Sequence, residues 1–192
     1  MKRLLLFGAL LALAAWLPAQ EFKLGSAVGD FPVQDTESNT VRLSALKGEV
    51  TVIAFIATQC PISNDYNERM KAAYKEYTPR GVKFVFINSN NSEPAAEVVE
   101  HAGKWGFEFK VYKDNQNVVA DRFGAEFTPE FFVLDKGGVI RYHGALDNSR
   151  NLAGVKSQWL GGALDAMLGG QTVAPAETKA FGCTIKRVKK AS

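Results

Sequence analysis

Apolar and polar positions along the chain predict strands that alternate with helices. Residues 50–56 form a nearly continuous apolar run rich in β-branched side chains, and residues 82–88 form a second one. Runs of this kind are typical of strands buried on both faces of a sheet. Residues 131–134 predict a third strong strand, and the Asp-Lys-Gly-Gly turn at 135–138 predicts a hairpin that returns through 139–143.

Helical spacing of apolar side chains predicts helices between these strands. Residues 62–77 predict one helix, ended by Pro79-Arg80-Gly81, and residues 93–104 predict another with Ser92 as N-cap and Glu93-Pro94 in its first turn. Strands that alternate with helices predict an α/β fold, with a central mixed sheet and helices on both faces. Shorter elements are predicted at residues 41–43 (strand), 107–112 (strand), 117–123 (helix) and 151–168 (last helix).

The N-terminus has the three parts of a secretory signal peptide. Lys2 and Arg3 supply the positive region, residues 4–16 the apolar region, and Leu17-Pro18-Ala19 a small-residue cleavage site. The apolar run is shorter than the roughly 20 residues of a membrane-spanning helix. We therefore expect cleavage after Ala19, a periplasmic or secreted location, and no membrane contact once residues 1–19 are removed.

Charge gives little indication of function. The chain carries 23 basic and 20 acidic residues, and loss of Lys2 and Arg3 leaves a net charge of about +1. This balance gives no reason to expect nucleic acid as a partner. We interpret the basic cluster at residues 186–190 as a frayed, solvated end. The predicted organisation is a single domain at residues 20–170 followed by a C-terminal tail at residues 171–192.

Cys60 and Cys183 are the two cysteines of the chain. Two cysteines are too few for a disulfide scaffold, and neither has a second ligand at zinc-site spacing. His101 and His143 lie far from both in the sequence and are interpreted as surface or core residues. We therefore expect neither a metal ion nor another cofactor.

Cys60 follows the first strong strand and stands where the next helix begins. Backbone N–H groups and the helix dipole favour a thiolate there and lower the pKa of the thiol. Pro61 suits the first helical position, where a missing N–H costs nothing. Because the thiolate is the nucleophile of disulfide exchange, we predict that Cys60 is catalytic and not an inert core residue.

Residues 55–63, Phe-Ile-Ala-Thr-Gln-Cys-Pro-Ile-Ser, resemble the active-site segment of exported thioredoxin-like redoxins. These belong to the superfamily that also holds the peroxiredoxins (alkyl hydroperoxide reductase/thiol-specific antioxidant). Thr128-Pro129, just before a strand, is similar to the cis-proline of that family. The resemblance covers residues 25–168 and implies a thioredoxin-like fold and a thiol-disulfide oxidoreductase. It also implies that Pro129 is cis and packs against the reactive cysteine, and that the backbone of Thr128 is free to pair with an extended substrate.

The chain departs from the family pattern beside Cys60. Ser63 stands where the family has its second cysteine, so Cys60 cannot resolve a mixed disulfide within this motif. Ser63 could donate a hydrogen bond to the thiolate, or simply be a polar residue of the first helical turn. The buried acid of typical thioredoxins is replaced by Ala54, and the usual Trp by Gln59. These changes weigh against a general thioredoxin-like reductase.

Cys183 is the candidate resolving partner, since the segment that carries it could fold back. A disulfide requires Cα atoms within about 7 Å, and a free thiol or an intermolecular bridge are the alternatives. Gln59, Pro61, Ser63 and Asn64 are predicted to line the pocket of Cys60. Residues 88–91, Asn-Ser-Asn-Asn, close a strand at the sheet edge where ligands often bind, but loop formation explains them equally well.

The favoured function is exchange with exported protein thiols and disulfides or with small thiols, through an electron donor that the sequence does not identify. A peroxiredoxin-like peroxidase is one alternative. That family pattern needs Thr or Ser three residues before the cysteine and Pro seven before, where this chain has Ala57 and Ile53. A non-catalytic binding protein of the same fold, with an inert Cys60, is the other.

Overall fold

The structure is a computed structural model that describes residues 22–189, so the predicted signal peptide lies outside the described residues. The strands are β1 (Pro32–Gln34), β2 (Thr40–Arg42), β3 (Val50–Phe55), β4 (Val82–Asn88), β5 (Val111–Lys113), β6 (Phe127–Thr128), β7 (Glu130–Asp135), β8 (Ile140–Gly144) and β9 (Cys183–Thr184). The α-helices are α1 (Leu43–Leu46), α2 (Pro61–Asp65), α3 (Asn67–Tyr77), α4 (Ala95–Trp105), α5 (Val118–Phe123) and α6 (Trp159–Leu168).

Seven strands form one mixed sheet in the order β2-β1-β5-β4-β3-β7-β8. Strands β3, β4 and β5 are parallel, whereas β7 runs antiparallel to β3 and β8 antiparallel to β7. The end of β3, the end of β4 and the start of β7 therefore meet at one edge of the sheet. The segments that follow β3 and β4, and the segment that precedes β7, are brought together there.

The central strand β3 is buried at every position and supplies both faces of the core. Val52 and Ala54 point into the cluster that packs against α3, α4 and α6, while Ile53 and Phe55 point into the cluster that packs against α5. Alternation of this kind follows from the two-residue period of a strand. The prediction of a mixed sheet with helices on both faces is confirmed.

Two helix predictions differ from the structure. The helix expected at residues 62–77 is divided at Tyr66, which caps both α2 and α3 and is buried against Asp147. The helix expected at 93–104 begins at Ala95, with Pro94 as N-cap in place of Ser92. Glu93 therefore precedes the helix, and its side chain is buried.

Two further elements are shorter than expected, and the boundary between β2 and α1 also shifts. Residues 151–158 do not join α6; they form a short 3-10 turn at Leu152–Gly154, and the side chain of Asn148 binds the N–H groups of residues 156 and 157. Capture of these backbone donors by a side chain stops a helix from starting earlier. The strand expected at 107–112 is limited to β5, and β2 ends at Arg42 because Leu43 opens α1.

The C-terminal tail folds back over the domain. The backbone N–H of His143 donates to the carbonyl oxygen of Ala176 at 3.0 Å, and the N–H of Thr178 donates to the carbonyl oxygen of His143 at 2.9 Å. Gly144 has a φ of +147°, and a Cβ there would collide with Thr178, so the tail lies closer to β8 than a side chain allows. The tail then reaches β9, which pairs with β6.

The prediction of a frayed basic end is wrong for the part of the cluster that lies within residues 22–189. Lys186 donates its backbone N–H to Asn90 Oδ1 at 2.7 Å, and Arg187 donates to Asp121 at 2.8 Å and to the carbonyl oxygen of Ala125 at 2.6 Å. Ile185 beside them is 5% exposed. The segment is fixed to the domain because it buries an apolar side chain and satisfies its backbone groups there.

Within the described part of the chain, none of the helices combines the length and the apolar character that a membrane crossing requires.

Candidate active site

Cys60 lies at the edge of the sheet, at the end of the loop that joins β3 to α2. It is the N-cap of α2, and its Sγ accepts a hydrogen bond from the backbone N–H of Ser63 at 3.2 Å. The residue is 3% exposed. A backbone donor aimed at sulfur favours its anionic form, so this position suits a reactive thiolate.

The four predicted pocket residues divide into two pairs. Gln59 and Pro61 flank the cysteine on the exposed side. Ser63 is fully buried, and its hydroxyl accepts the backbone N–H of Ala57 at 3.1 Å. Asn64 donates to the carbonyl oxygen of Thr58 at 2.9 Å. Ser63 and Asn64 therefore hold the loop before Cys60, and the donor that reaches the sulfur from Ser63 is its N–H group, not its hydroxyl.

The Thr128–Pro129 peptide bond is cis, as the resemblance implies. Pro129 is buried, and the carbonyl oxygen of Thr128 lies 3.4 Å from Cys60 Sγ, the distance at which a protonated thiol would donate a hydrogen bond. The backbone of Thr128 is not free, however. It pairs with Cys183 in the β6–β9 ladder. The expectation of an open strand edge at Thr128 is wrong in this state, because the tail occupies that edge.

Cys183 is joined to Cys60 in a disulfide that links residues 123 positions apart, with the two Cα atoms 5.9 Å apart. The β6–β9 pairing brings Cys183 to this point. At Gly182 a Cβ would collide with the carbonyl oxygen of Thr128 and approach the nitrogen of Pro129 to 3.3 Å. The tail thus approaches the cis-proline segment more closely than any other residue type allows at position 182.

Glu93 also belongs to this site, although the sequence does not indicate a functional role for it. Its carboxylate is 1% exposed and accepts the backbone N–H groups of Thr58 at 2.8 Å and Gln59 at 3.1 Å. It also accepts the side-chain amides of Asn88 and of Asn90, the latter at 2.7 Å. The acid therefore binds the two residues that precede Cys60. An acidic residue before a helix is ordinary in a sequence, so nothing in the pattern indicated that it points inward.

A buried lysine completes this polar cluster. Lys113 Nζ donates to Asn88 Oδ1 at 2.5 Å, to the carbonyl oxygen of Asn90 at 3.1 Å and to that of Glu93 at 2.5 Å. Burial opposes ionisation of Glu93, but the hydrogen bonds it accepts outweigh burial and hold its pKa below the ordinary value. Burial likewise lowers the pKa of Lys113, against the attraction of Glu93.

Both histidines are half-buried and have hydrogen-bond partners within the protein. His101 Nε2 lies 2.8 Å from Asn64 Oδ1, and burial lowers its pKa. His143 Nε2 lies 2.7 Å from Glu130 Oε1. Burial opposes protonation of His143, but the hydrogen bonds to Glu130 and Glu177 prevail and raise its pKa. Across residues 22–189, no group of three or more His, Cys, Asp or Glu residues is placed to hold a metal ion.

The parallel centre of the sheet, the antiparallel β7–β8 hairpin and the cis-proline beside a helix N-terminal cysteine together define a thioredoxin-like fold. The model of the AhpC/TSA family matches residues 24–143. The chain therefore belongs to the AhpC/TSA family, as the resemblance of the motifs implied.

Similar proteins agree with this assignment. The chain is 28% identical over 118 residues to "Thiol-disulfide oxidoreductase ResA" of Geobacillus thermodenitrificans. The matched region covers 62% of this chain and 67% of the relative. It is 30% identical over 115 residues to "Probable phospholipid hydroperoxide glutathione peroxidase" of Nicotiana tabacum. The matched region covers 58% of this chain and 59% of the relative. A redox enzyme is the class that such relatives share.

A solved structure extends the likeness beyond the family domain. The crystal structure of an uncharacterized conserved protein from Geobacillus kaustophilus is 32% identical, with a TM-score of 0.82, and covers 88% of this chain and 95% of that one. The family model ends at residue 143. Coverage of this breadth indicates that the two proteins share more of the chain than the family domain.

We predict that the buried Glu93 carboxylate stabilises the protein in a pH-dependent way. Its pKa is lowered in the folded state, so its contribution is complete above the ordinary value of 4.5 and is lost as the pH falls through the folded pKa. The Glu93→Gln variant should lose about 2 kcal/mol of unfolding free energy at pH 7. The difference from wild type should shrink below pH 4.5, as measured by urea unfolding across pH.

The matched control is Glu100→Gln, which makes the same chemical change at an exposed position of α4. It should leave the unfolding free energy within about 0.5 kcal/mol of wild type. A Glu93→Gln variant as stable as this control at pH 7 would contradict the role of the carboxylate.

Proposed function

We propose that the protein is an exported thiol-disulfide oxidoreductase in which Cys60 is the nucleophile and Cys183 the resolving residue. One observation carries the proposal: the two cysteines form a disulfide beside the cis-proline although 123 positions separate them in the sequence. Relatives named as thiol-disulfide oxidoreductases support the same class of reaction. Ser63 cannot resolve a mixed disulfide, and Cys183 supplies the second thiol that the motif lacks.

In the proposed reaction, the Cys60 thiolate attacks one sulfur of a substrate disulfide. A bond forms between Cys60 and that sulfur, the substrate S–S bond breaks, and the other sulfur leaves as a thiolate that takes up a proton. The Cys183 thiolate then attacks Cys60 Sγ, closes the enzyme disulfide and releases the second substrate thiolate. Two electrons pass from enzyme to substrate, and an external dithiol reduces the enzyme again. The same steps in reverse oxidise a substrate dithiol.

The surrounding groups have assigned roles in this scheme. The N–H of Ser63, 3.2 Å from Cys60 Sγ, stabilises the Cys60 thiolate that attacks the substrate disulfide. The segment Thr128-Pro129 presents Cys183 to Cys60 through the β6–β9 pairing. Gln59 and Pro61, exposed on either side of Cys60, contact the substrate as it enters. Asn64 keeps the loop before Cys60 in place through Thr58.

The proposed substrates are exported protein thiols and disulfides or small thiols. Disulfides persist in extracytoplasmic compartments, which suits a chain that holds its own cysteines as a disulfide. The three-part pattern of residues 1–19 supports export.

The intact mass of the protein recovered after expression of the full chain tests cleavage of the signal peptide. The mass should correspond to a chain that begins at Gln20. A chain that retains residues 1–19 would contradict cleavage after Ala19.

Single cysteine variants separate the two proposed steps. Reduced wild type, Cys60→Ser and Cys183→Ser are each mixed with a disulfide-bonded peptide, and intact masses are recorded without reductant. Wild type should end as the internal disulfide with no adduct, and Cys60→Ser should lose exchange because it lacks the nucleophile. Cys183→Ser should accumulate the covalent peptide adduct, because nothing displaces the peptide from Cys60.

Two outcomes would contradict parts of this scheme. If Cys60→Ser exchanged at the wild-type rate, the nucleophile would be misassigned. If Cys183→Ser turned over like wild type without an adduct, Cys183 would not be the resolving residue. A wild-type protein that neither exchanged nor formed an adduct would favour the binding-protein alternative.

A thiol peroxidase is the second candidate, favoured by the similarity to the glutathione peroxidase of Nicotiana tabacum and by the AhpC/TSA family itself. Ala57 and Ile53 replace the residues that activate peroxide in the peroxiredoxin pattern. We therefore predict that the reduced enzyme reacts with the peptide disulfide faster than with hydrogen peroxide at equal concentration, as followed by stopped-flow mixing. Faster oxidation by peroxide would favour the peroxidase.

A further inference from the structure

The segment Cys183–Val188 has to remain beside Cys60 while the disulfide is open. This requirement rests on the proposed function, in which Cys183 attacks a mixed disulfide at Cys60. During that step no bond joins the two cysteines, so contacts that do not involve sulfur must hold the segment. A thiol kept in place reacts as if at high local concentration, whereas a thiol on a loose tail does not.

Several such contacts exist. Ile185 donates its N–H to the carbonyl oxygen of Glu126 at 2.9 Å, and Lys186 accepts the N–H of Asn91 at 2.9 Å. Two buried side chains also accept backbone N–H groups of the segment: Asn90 binds that of Lys186 at 2.7 Å, and Asn117 binds that of residue 188 at 2.7 Å. Both asparagines lie on the sheet edge that carries Cys60.

Asn90 differs from Asn117 because it also reaches the loop of Cys60. Its Nδ2 donates to Glu93 Oε1 at 2.7 Å, and the same Oε1 accepts the N–H of Gln59 at 3.1 Å. A continuous chain of three hydrogen bonds therefore joins Lys186, three residues after Cys183, to Gln59, the residue before Cys60. Asn90 is 5% exposed, so water does not compete with these bonds.

We propose that Asn90 is a positioning residue that holds the Cys183 segment at Cys60 in the reduced enzyme. It touches neither sulfur and is not catalytic. A side chain that only shaped its own turn would bind groups a few residues away. The acceptor of Asn90 instead binds a residue 96 positions later in the sequence. The Asn-Ser-Asn-Asn sequence after β4 thus has a role beyond closing a loop.

A symmetric nitrobenzoate disulfide tests this proposal, because it releases one coloured thiolate at each of the two steps. The first release reports the attack of Cys60 on the probe. The second reports the attack of Cys183 on the mixed disulfide at Cys60. Reduced full-length protein is mixed with the probe in a stopped-flow instrument, and the two rate constants are compared between variants.

Asn90→Ala should slow the second release about tenfold, which corresponds to about 1.4 kcal/mol and is the scale of one buried hydrogen bond. The first release should stay within about twofold of wild type, because Glu93 keeps its bonds to Thr58, Gln59 and Asn88. The matched control is Asn91→Ala, since Asn91 is exposed and joins the segment through its backbone N–H. Both rate constants of the control should match wild type.

A second pair of variants removes the same hydrogen bond from the other side and leaves the buried cluster intact. Lys186→Pro deletes the N–H that Asn90 accepts, whereas Lys186→Ala removes only an exposed side chain. Lys186→Pro should slow the second release as Asn90→Ala does, and Lys186→Ala should leave it unchanged. Asn90→Ala combined with Lys186→Pro should be no slower than Asn90→Ala alone, since both changes remove the hydrogen bond between the Lys186 N–H and Asn90 Oδ1.

The outcomes distinguish this inference from the proposed function. If the second release of Asn90→Ala and Lys186→Pro stays within twofold of wild type, the positioning role is overturned and the two-cysteine mechanism stands. An equal slowing of both releases in Asn90→Ala would also overturn it, because Asn90 would then act through the Cys60 loop. If the wild-type protein releases only one equivalent of coloured thiolate, both the proposed function and this inference are wrong.

Discussion

A carboxylate that is 1% exposed must be surrounded by donors, and the arrangement around Cys60 depends on how Glu93 meets this constraint. Its donors come from two places: the loop after β3, through Thr58 and Gln59, and the end of β4 with the loop that follows it, through Asn88 and Asn90. One buried charge thus fixes two loops at adjacent strand ends. The C-terminal segment in turn is attached to the second of these loops through Lys186.

Much of the fold could be predicted from the sequence because the central strands are buried on both faces. The runs at residues 50–56 and 82–88 are nearly continuous in apolar residues, which is typical of such strands, and they correspond to β3 and β4. Cys60 could be placed for the same reason, since its position follows from the end of β3. The prediction of a helix at 151–168 is wrong for residues 151–158, where the Asn148 side chain accepts two backbone N–H groups. Hydrophobic periodicity carries no information about such a local bond.

The rest of the site depends on contacts between residues distant in sequence. Cys183 could be named as a candidate partner, but its distance from Cys60 follows from the β6–β9 pairing, and two-residue strands leave no pattern. Glu93 and Asn90 resemble ordinary residues of a helix start and a turn. Their role arises because β3 and β4 are parallel neighbours, so that the loops that follow them lie side by side.

The disulfide has a further consequence for the chain as a whole. In the oxidised protein the covalent link from Cys60 to Cys183 closes a ring, and the strands from β4 to β9 all lie on it. Reduction opens this ring and leaves a linear chain. In the proposed reaction every turnover would therefore change the topology of the polypeptide, and a thiol exchange at one edge of the sheet would alter how freely most of the domain can unfold.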